Sequence, residues 1–118
     1  PHSKNAYIPK EKLLRYLLSE THPVGKSKAK FFRKLGFYET NVDKLEKALL
    51  SIAQTNEIEE LKEIAYGVNY TIKGSIKTPN RKVVTIKTVW FIESGKTSPR
   101  FVTAIPDIIS KRKVLENE

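Results

Sequence analysis

Residues 67–93 read GVNYTIKGSIKTPNRKVVTIKTVWFIE, and apolar and polar residues alternate along most of this stretch. A period of two is typical of β-strands that bury one face. The segment TPNR, at residues 78–81, interrupts the alternation with a proline and an asparagine, as a turn does. The stretch therefore predicts two antiparallel strands. Their shared apolar faces carry Val68, Tyr70, Ile72 and Ile76 in the first strand and Val84, Ile86, Trp90 and Ile92 in the second.

A third strand is predicted at residues 100–106, RFVTAIP, after the loop ESGKTSP. Strands that follow one another through short loops form an antiparallel meander. Residues 56–65, NEIEELKEIA, fit either a short helix or a loop.

Three helices are predicted before the strands. The first begins at Pro9 and ends at His22, because a residue before proline disfavours the α region. The second is KAKFFRKLG, which Gly36 ends in a left-handed conformation. The third runs from about residue 40 to residue 55. Helices followed by strands predict an α+β fold, in which about three helices pack on one face of a sheet of three to four strands. The apolar stripe of the first helix comprises Leu13, Leu14, Leu17 and Leu18.

The charge of the chain is unevenly distributed. Its 118 residues carry a net charge of +9, and basic residues dominate both residues 1–38 and residues 66–106. Acidic residues dominate the segment between them, residues 39–65. We expect one basic domain over residues 1–106 and a charged tail over residues 107–118. The absence of cysteine excludes disulfides, and the composition predicts a cytoplasmic protein.

The face of the sheet turned away from the helices is predicted to be polar. Thr71, Thr85 and Thr103 alternate there with lysines. Such a basic surface attracts polyanions, most often nucleic acid, although a solvated lysine-rich surface explains the same pattern. The predicted nucleic-acid-binding residues are Lys26, Lys30, Lys73, Lys77, Arg81 and Lys87.

The ionisable residues favour one type of chemistry. Histidine, aspartate and glutamate are too sparse in the basic segments to predict a metal site, and we expect no cofactor. The turn THPVGKSK, at residues 21–28, places His22 close to lysines. A neutral imidazole can take the proton of an RNA 2′-hydroxyl while cations stabilise the phosphate. The alternative is that His22 ends a helix and packs on Phe31 or Phe32. Trp90 and Phe32 are most simply core residues.

Five segments in fixed order carry a resemblance to a family of small bacterial domains of unknown function. They are AYIPKEKLLRYLL, HPVGKSKAKFFRKLGF, YGVNY, TVW and PRFVTAIP. The last strands also resemble, more loosely, the barnase–EndoU–colicin–RelE-like ribonuclease fold. That resemblance implies a sheet that binds RNA, and many members of the fold are toxins. By it, His22 and Lys28 correspond to the catalytic groups on a helix, and Arg100 and Thr103 to those on a strand.

Three classes of function follow. The first is a metal-independent endoribonuclease of toxin type, acting on RNA such as tRNA or mRNA and controlled by an acidic antitoxin or immunity protein. The second is a nucleic-acid-binding module without catalysis. The third is a protein-interaction domain of the immunity or antitoxin kind.

Overall fold

The computed structural model describes residues 5–19, 21 and 26–106, and in the second helix it describes side chains from residue 28 onward. Within these residues, three helices precede four strands, as expected for an α+β fold. The helices are α1 (Lys10–Lys12), which continues as a π-helical turn (Leu13–Leu17), α2 (Lys26–Lys34) and α3 (Val42–Thr55), with a 3-10 turn (Glu39–Asn41) before α3. The strands are β1 (Ile58–Ile64), β2 (Gly67–Lys77), β3 (Val83–Glu93) and β4 (Arg100–Pro106).

The strands form one antiparallel sheet of order β1-β2-β3-β4, so every strand pairs with its neighbour in the chain. This confirms the predicted meander. Strands β2 and β3 remain in register from the pair Gly67–Glu93 to the pair Lys77–Val83. The alternation in the sequence identified these two strands and β4 correctly, because each of them has residues buried against the helices.

The prediction for residues 56–65 as a helix or loop was wrong, because most of this segment forms β1. Ile58, Leu61 and Ile64 are three residues apart, which is a helical spacing. Every residue of β1 after Ile58 is exposed, so no alternation marks the strand. Backbone pairing with β2 determines the structure here, since such tertiary context overrides weak local propensity.

The first helix is wider than predicted. The Leu18 amide donates to the Leu13 carbonyl at 2.9 Å, which is the five-residue spacing of a π turn. Leu13, Leu17 and Leu18 are buried, but Leu14 is 37% exposed. The wider turn changes the angular spacing of the side chains, so Leu14 leaves the predicted stripe. No helix within the described residues is long and apolar enough to cross a membrane.

The second helix is fixed to the first by Arg33. Its guanidinium donates two hydrogen bonds to the Leu18 carbonyl, at 3.1 and 2.6 Å, and forms an ion pair with Glu39 at 2.5 Å. It therefore satisfies a carbonyl at the end of the first helix that has no partner within that helix. As predicted, the chain leaves α2 at Gly36 with a positive φ of 99°.

The core lies between the helices and one face of the sheet. Phe32 and Trp90 are both buried there, as predicted. The Trp90 ring packs edge-on against Phe101, with 5.4 Å between centroids. Its indole N–H donates to the Thr88 hydroxyl at 2.7 Å, and this hydroxyl donates to the Ile72 carbonyl at 2.8 Å. These two bonds satisfy polar groups in the core and connect β3 to β2.

The segment before α1 is paired with the sheet through its backbone. The Tyr7 amide donates to the Pro99 carbonyl, and the Phe101 amide donates to the Tyr7 carbonyl, both at 3.0 Å. Tyr7 thus forms a parallel bridge with Arg100 at the outer edge of β4. This pairing holds the start of the first helix beside the last strand.

Replacing Thr88 with valine should destabilise the protein by about 1–3 kcal/mol, because valine has a similar shape but leaves the buried indole N–H without an acceptor. Chemical denaturation monitored by Trp90 fluorescence measures the change. The matched control is Thr85→Val on the same strand, where the hydroxyl lies in an exposed contact at 3.4 Å from Ser75. Equal stability of the two variants would show that the buried hydrogen bonds contribute little.

Candidate functional site

A cleft of ≈ 500 Å³, called the phenol cleft below, lies between the first helix and β4. The Tyr7 pairing brings these two elements together at the edge of the sheet. The ionisable and phenolic side chains that line the cleft are Glu11, Lys12, Arg15, Tyr16 and Arg100. Three of these five residues are cationic, so the cleft has the charge needed to hold an anion.

Tyr16 and Thr103 connect the helix to the strand. Their hydroxyl oxygens are 3.1 Å apart, across 87 positions in the sequence. A bulge in β4 precedes this contact, because Trp90 pairs with Phe101 whereas Val89 pairs with Thr103. Bulges re-aim side chains and occur often beside active sites. The threonine predicted to lie among the lysines of the sheet therefore contacts the helical layer around the sheet edge.

Two lysines surround the ring of Tyr16. The Lys12 ammonium lies 4.9 Å from the ring centroid, and the Lys28 ammonium lies 5.6 Å from it. Burial acts to raise the pKa of Tyr16, but its hydrogen bonds with Thr103 and Lys28 and the charges of Lys28 and Lys12 outweigh burial. The pKa of Tyr16 is therefore lowered from its usual value of 10.0. A more acidic phenol beside cations can give a proton to an oxygen of a bound phosphate ester.

The structure brings together several of the residues predicted to be catalytic. Lys28 and Thr103 both contact Tyr16. Arg100, exposed at the start of β4, lines the same cleft. His22 lies outside the described residues, so its predicted role stays a prediction.

The predicted nucleic-acid-binding residues lie elsewhere. Lys73 and Lys87 face one another on the open side of the sheet, where like charges repel. Glu59 of β1 offsets this repulsion through an ion pair with Lys87 at 3.4 Å. The acidic segment thus contributes a carboxylate beside Lys87, and the binding of nucleic acid by these residues stays a prediction. Lys30, Lys77 and Arg81 are exposed, Arg81 with a φ of 63°, and the Lys26 side chain lies outside the described part of the chain.

Sequence reasoning missed Tyr16 and Lys12. A signal was present, since residues four apart on a helix are neighbours and a lysine before a tyrosine at this spacing can stack on its ring. In the part of the chain that the structure describes, no group of three or more histidine, aspartate or glutamate residues is arranged to hold a metal ion.

The fold and cleft define a class of small α+β protein in which a helix and the edge strand of an antiparallel sheet enclose a cationic, tyrosine-lined cleft. The family model described as "Domain of unknown function (DUF6883)" matches residues 1–107, and the chain belongs to this family.

A solved structure shares the fold across nearly the whole chain. It is a chain of the contact-dependent growth inhibition toxin–immunity protein complex from Klebsiella pneumoniae 342. The TM-score is 0.70 at 17% identity, covering 89% of this chain and 96% of that chain. At this identity the likeness concerns the fold alone. No curated protein matches the chain.

Removing the positive charge of Lys28 should raise the pKa of Tyr16. In Lys28→Met the apolar stem remains, but the cation that stabilises the phenolate is lost. NMR titration of ring-labelled tyrosine measures the pKa, with Tyr16→Phe to assign the resonance. Stability is a poor readout, because a lowered folded-state pKa stabilises the fold only at alkaline pH, and this contribution is lost as the pH falls through that pKa.

The control for this titration is Lys30→Met, at an exposed position of the same helix. It should leave the Tyr16 titration unchanged. An unchanged titration in Lys28→Met would contradict the electrostatic coupling.

Proposed function

We propose that this protein is a metal-independent endoribonuclease of the bacterial toxin type. The contact set of Tyr16 carries the proposal. Its hydroxyl meets Thr103, and the ammonium groups of Lys12 and Lys28 lie over its ring. Tyr16 and Lys12 line the phenol cleft, which Arg100 also lines. Cleavage of RNA by its own 2′-hydroxyl needs proton transfer and charge stabilisation but no protein nucleophile, and these groups provide both.

In the proposed reaction, a base removes the proton of a 2′-hydroxyl, and the 2′ oxygen forms a bond to the adjacent phosphorus. The bond between phosphorus and the 5′ oxygen then breaks, and Tyr16 gives its proton to this leaving oxygen. Lys28 and Arg100 stabilise the negative charge that develops on the phosphoryl oxygens. Thr103 orients the phenol. The products are a 2′,3′-cyclic phosphate and a 5′-hydroxyl.

His22 is proposed as the base. It precedes the start of α2 by four residues, and α2 carries Lys28. An imidazole with an unperturbed pKa of about 6.5 is mostly neutral at cytosolic pH and can accept the proton. The proposed site therefore combines a residue before α2 with groups from the first helix, α2 and β4.

An acidic antitoxin or immunity protein is proposed as the partner. The net charge of +9 and the cations of the phenol cleft favour an acidic surface that would block the cleft. The similar solved structure is, by its name, a toxin–immunity protein complex, which supports this kind of partner. We place the reaction in the cytoplasm, where tRNA and mRNA are present.

A second candidate function is RNA binding without cleavage. It is favoured by the exposed cations Lys30, Lys77 and Arg81, none of which lines the phenol cleft. A binding surface of this kind needs no proton-transfer group. A variant that lacks the Tyr16 hydroxyl distinguishes the two functions, because RNA binding without cleavage would not depend on this hydroxyl.

Cleavage of total RNA in excess chelator tests the proposal. Tyr16→Phe should lower the rate by about 10²- to 10⁴-fold, the contribution typical of a general acid. Lys28→Ala or Arg100→Ala should lower it by about 10- to 1,000-fold through loss of a charge-stabilising donor. His22→Ala should abolish cleavage while leaving folding nearly intact. Lys34→Ala, an exposed position of α2, is the matched control and should retain full activity.

Thermal melting of each variant separates loss of the site from loss of the fold. Full activity in folded Tyr16→Phe would show that the phenol cleft is not the catalytic site. If the wild-type protein binds RNA without cleaving it, and Tyr16→Phe binds RNA equally well, the binding module is favoured. A stoichiometric complex with an acidic protein and no response to RNA would favour the interaction domain.

Binding of single-stranded RNA should weaken steeply as salt rises. Three to six phosphate contacts imply a log–log slope of roughly −2 to −4 through counterion release. Fluorescence anisotropy of a labelled oligonucleotide over a salt series measures the slope. A slope near zero would contradict both RNA-based functions.

A further inference from the structure

A second cleft, called the loop cleft below, opens beside the phenol cleft. Its volume is ≈ 470 Å³, and it lies where the loop between β3 and β4 meets the segment before α1. Small-molecule sites commonly fall in the range of about 300–1,000 Å³. Aromatic rings, cations and hydroxyls line it together, from Tyr7, Phe91, Lys96, Thr97, Ser98 and Arg100.

The aromatic groups of the loop cleft are held in place but remain accessible. Tyr7 is 46% exposed, although its backbone forms one hydrogen bond with Pro99 and one with Phe101 of β4. Arg100 is the register partner of Phe91, and its guanidinium carbon lies 5.8 Å from the Phe91 ring centroid. The cleft therefore offers a tyrosine ring and an arginine plane supported on phenylalanine. Both are groups on which nucleobases stack.

Most polar groups of the loop cleft match the rest of a nucleotide, and Glu93 adds one carboxylate to the lining. Lys96 supplies a cation, and the hydroxyls of Thr97 and Ser98 can donate to sugar or phosphate oxygens. Gly95 enters this loop with a positive φ of 83°, and a Cβ atom at this position would meet no other atom within 4 Å. The rim is thus unobstructed at Gly95.

Arg100 connects the two clefts, since it lines both of them. A phosphate at the phenol cleft and a base in the loop cleft would therefore both lie beside Arg100. Phe91 also shares the open face of β3 with Lys87, four residues away, or roughly 13 Å along an extended strand. A single strand leaving the loop cleft can therefore continue past this lysine.

We propose that the loop cleft is a nucleobase subsite, which stacks one base of the RNA between Tyr7 and the Arg100–Phe91 pair. The choice of RNA as ligand rests on the proposed function, in which the adjacent phosphate is held at the phenol cleft. Stacking tolerates any base, because every base has a π face, so the subsite anchors the strand without strict sequence choice.

Calorimetric binding of single nucleotides to the full chain at low salt tests the subsite. The probes are the four nucleoside 3′-monophosphates, with inorganic phosphate and ribose 5-phosphate as probes that have no base. Tyr7→Ala should weaken nucleotide binding by about 5- to 100-fold, the loss expected for one base–aromatic stack. It should leave phosphate binding unchanged. Tyr7→Phe should bind like wild type.

Tyr38→Ala is the matched control, because Tyr38 is equally exposed at 45% and also lies near an arginine, Arg33, at 5.8 Å. Tyr7→Ala should fold normally, since the hydrogen bonds that hold residue 7 come from its backbone. Melting curves check this.

The subsite is overturned if no nucleotide binds more tightly than ribose 5-phosphate. It is also overturned if Tyr7→Ala and Tyr38→Ala have the same effect. Failure of the ribonuclease proposal looks different: nucleotides then bind in a Tyr7-dependent way, which supports the subsite, but RNA stays intact. Conversely, if RNA cleavage needs Tyr16 but nucleotide binding does not depend on Tyr7, the ribonuclease proposal stands and the subsite is overturned.

Discussion

The backbone pairing between Tyr7 and the start of β4 is the constraint on which the candidate site depends. Two hydrogen bonds of 3.0 Å join residues that are more than ninety positions apart in the chain. They hold the first helix against the edge of the sheet, where Tyr16 reaches Thr103 and where the side chain of Arg100 borders two clefts. Loss of this pairing would free the helix from β4, and the phenol and its strand-borne partner would separate.

The cations of the site must be held near one another against their mutual repulsion. Arg33 contributes by binding the Leu18 carbonyl and Glu39, which fixes the end of the first helix to α2 and so places Lys28 beside Tyr16. The ring of Tyr16 accepts two ammonium groups at its face, a favourable cation–π arrangement. A bound phosphate would relieve the remaining repulsion, which gives the cleft a physical reason to bind anions.

The fold could be predicted from sequence wherever the burial of one face produces a periodic pattern of apolar residues. Strands β2, β3 and β4 bury residues against the helices and were recognised, whereas β1 is exposed and was not. The site was less accessible to prediction. Lys28, Arg100 and Thr103 could be proposed as charged or hydroxyl groups on suitable elements, but not Tyr16, which contacts Lys28 and Thr103 and lines a cleft with Arg100. The contact between Tyr16 and Thr103 spans 87 positions and depends on a π turn and a bulge. Neither irregularity has a local sequence signal, and His22 stays a prediction.

The chemical identity of the RNA ends is the sharpest test of the proposed reaction. Wild-type protein is incubated with RNA in excess chelator, and the cleaved ends are analysed by mass spectrometry. Attack by the 2′-hydroxyl predicts a 2′,3′-cyclic phosphate on one fragment and a 5′-hydroxyl on the other, and no cleavage where the 2′ oxygen is methylated. Fragments that carry a 3′-hydroxyl and a 5′-phosphate, or cleavage at methylated positions, would contradict this mechanism, because water rather than the RNA itself would then be the nucleophile.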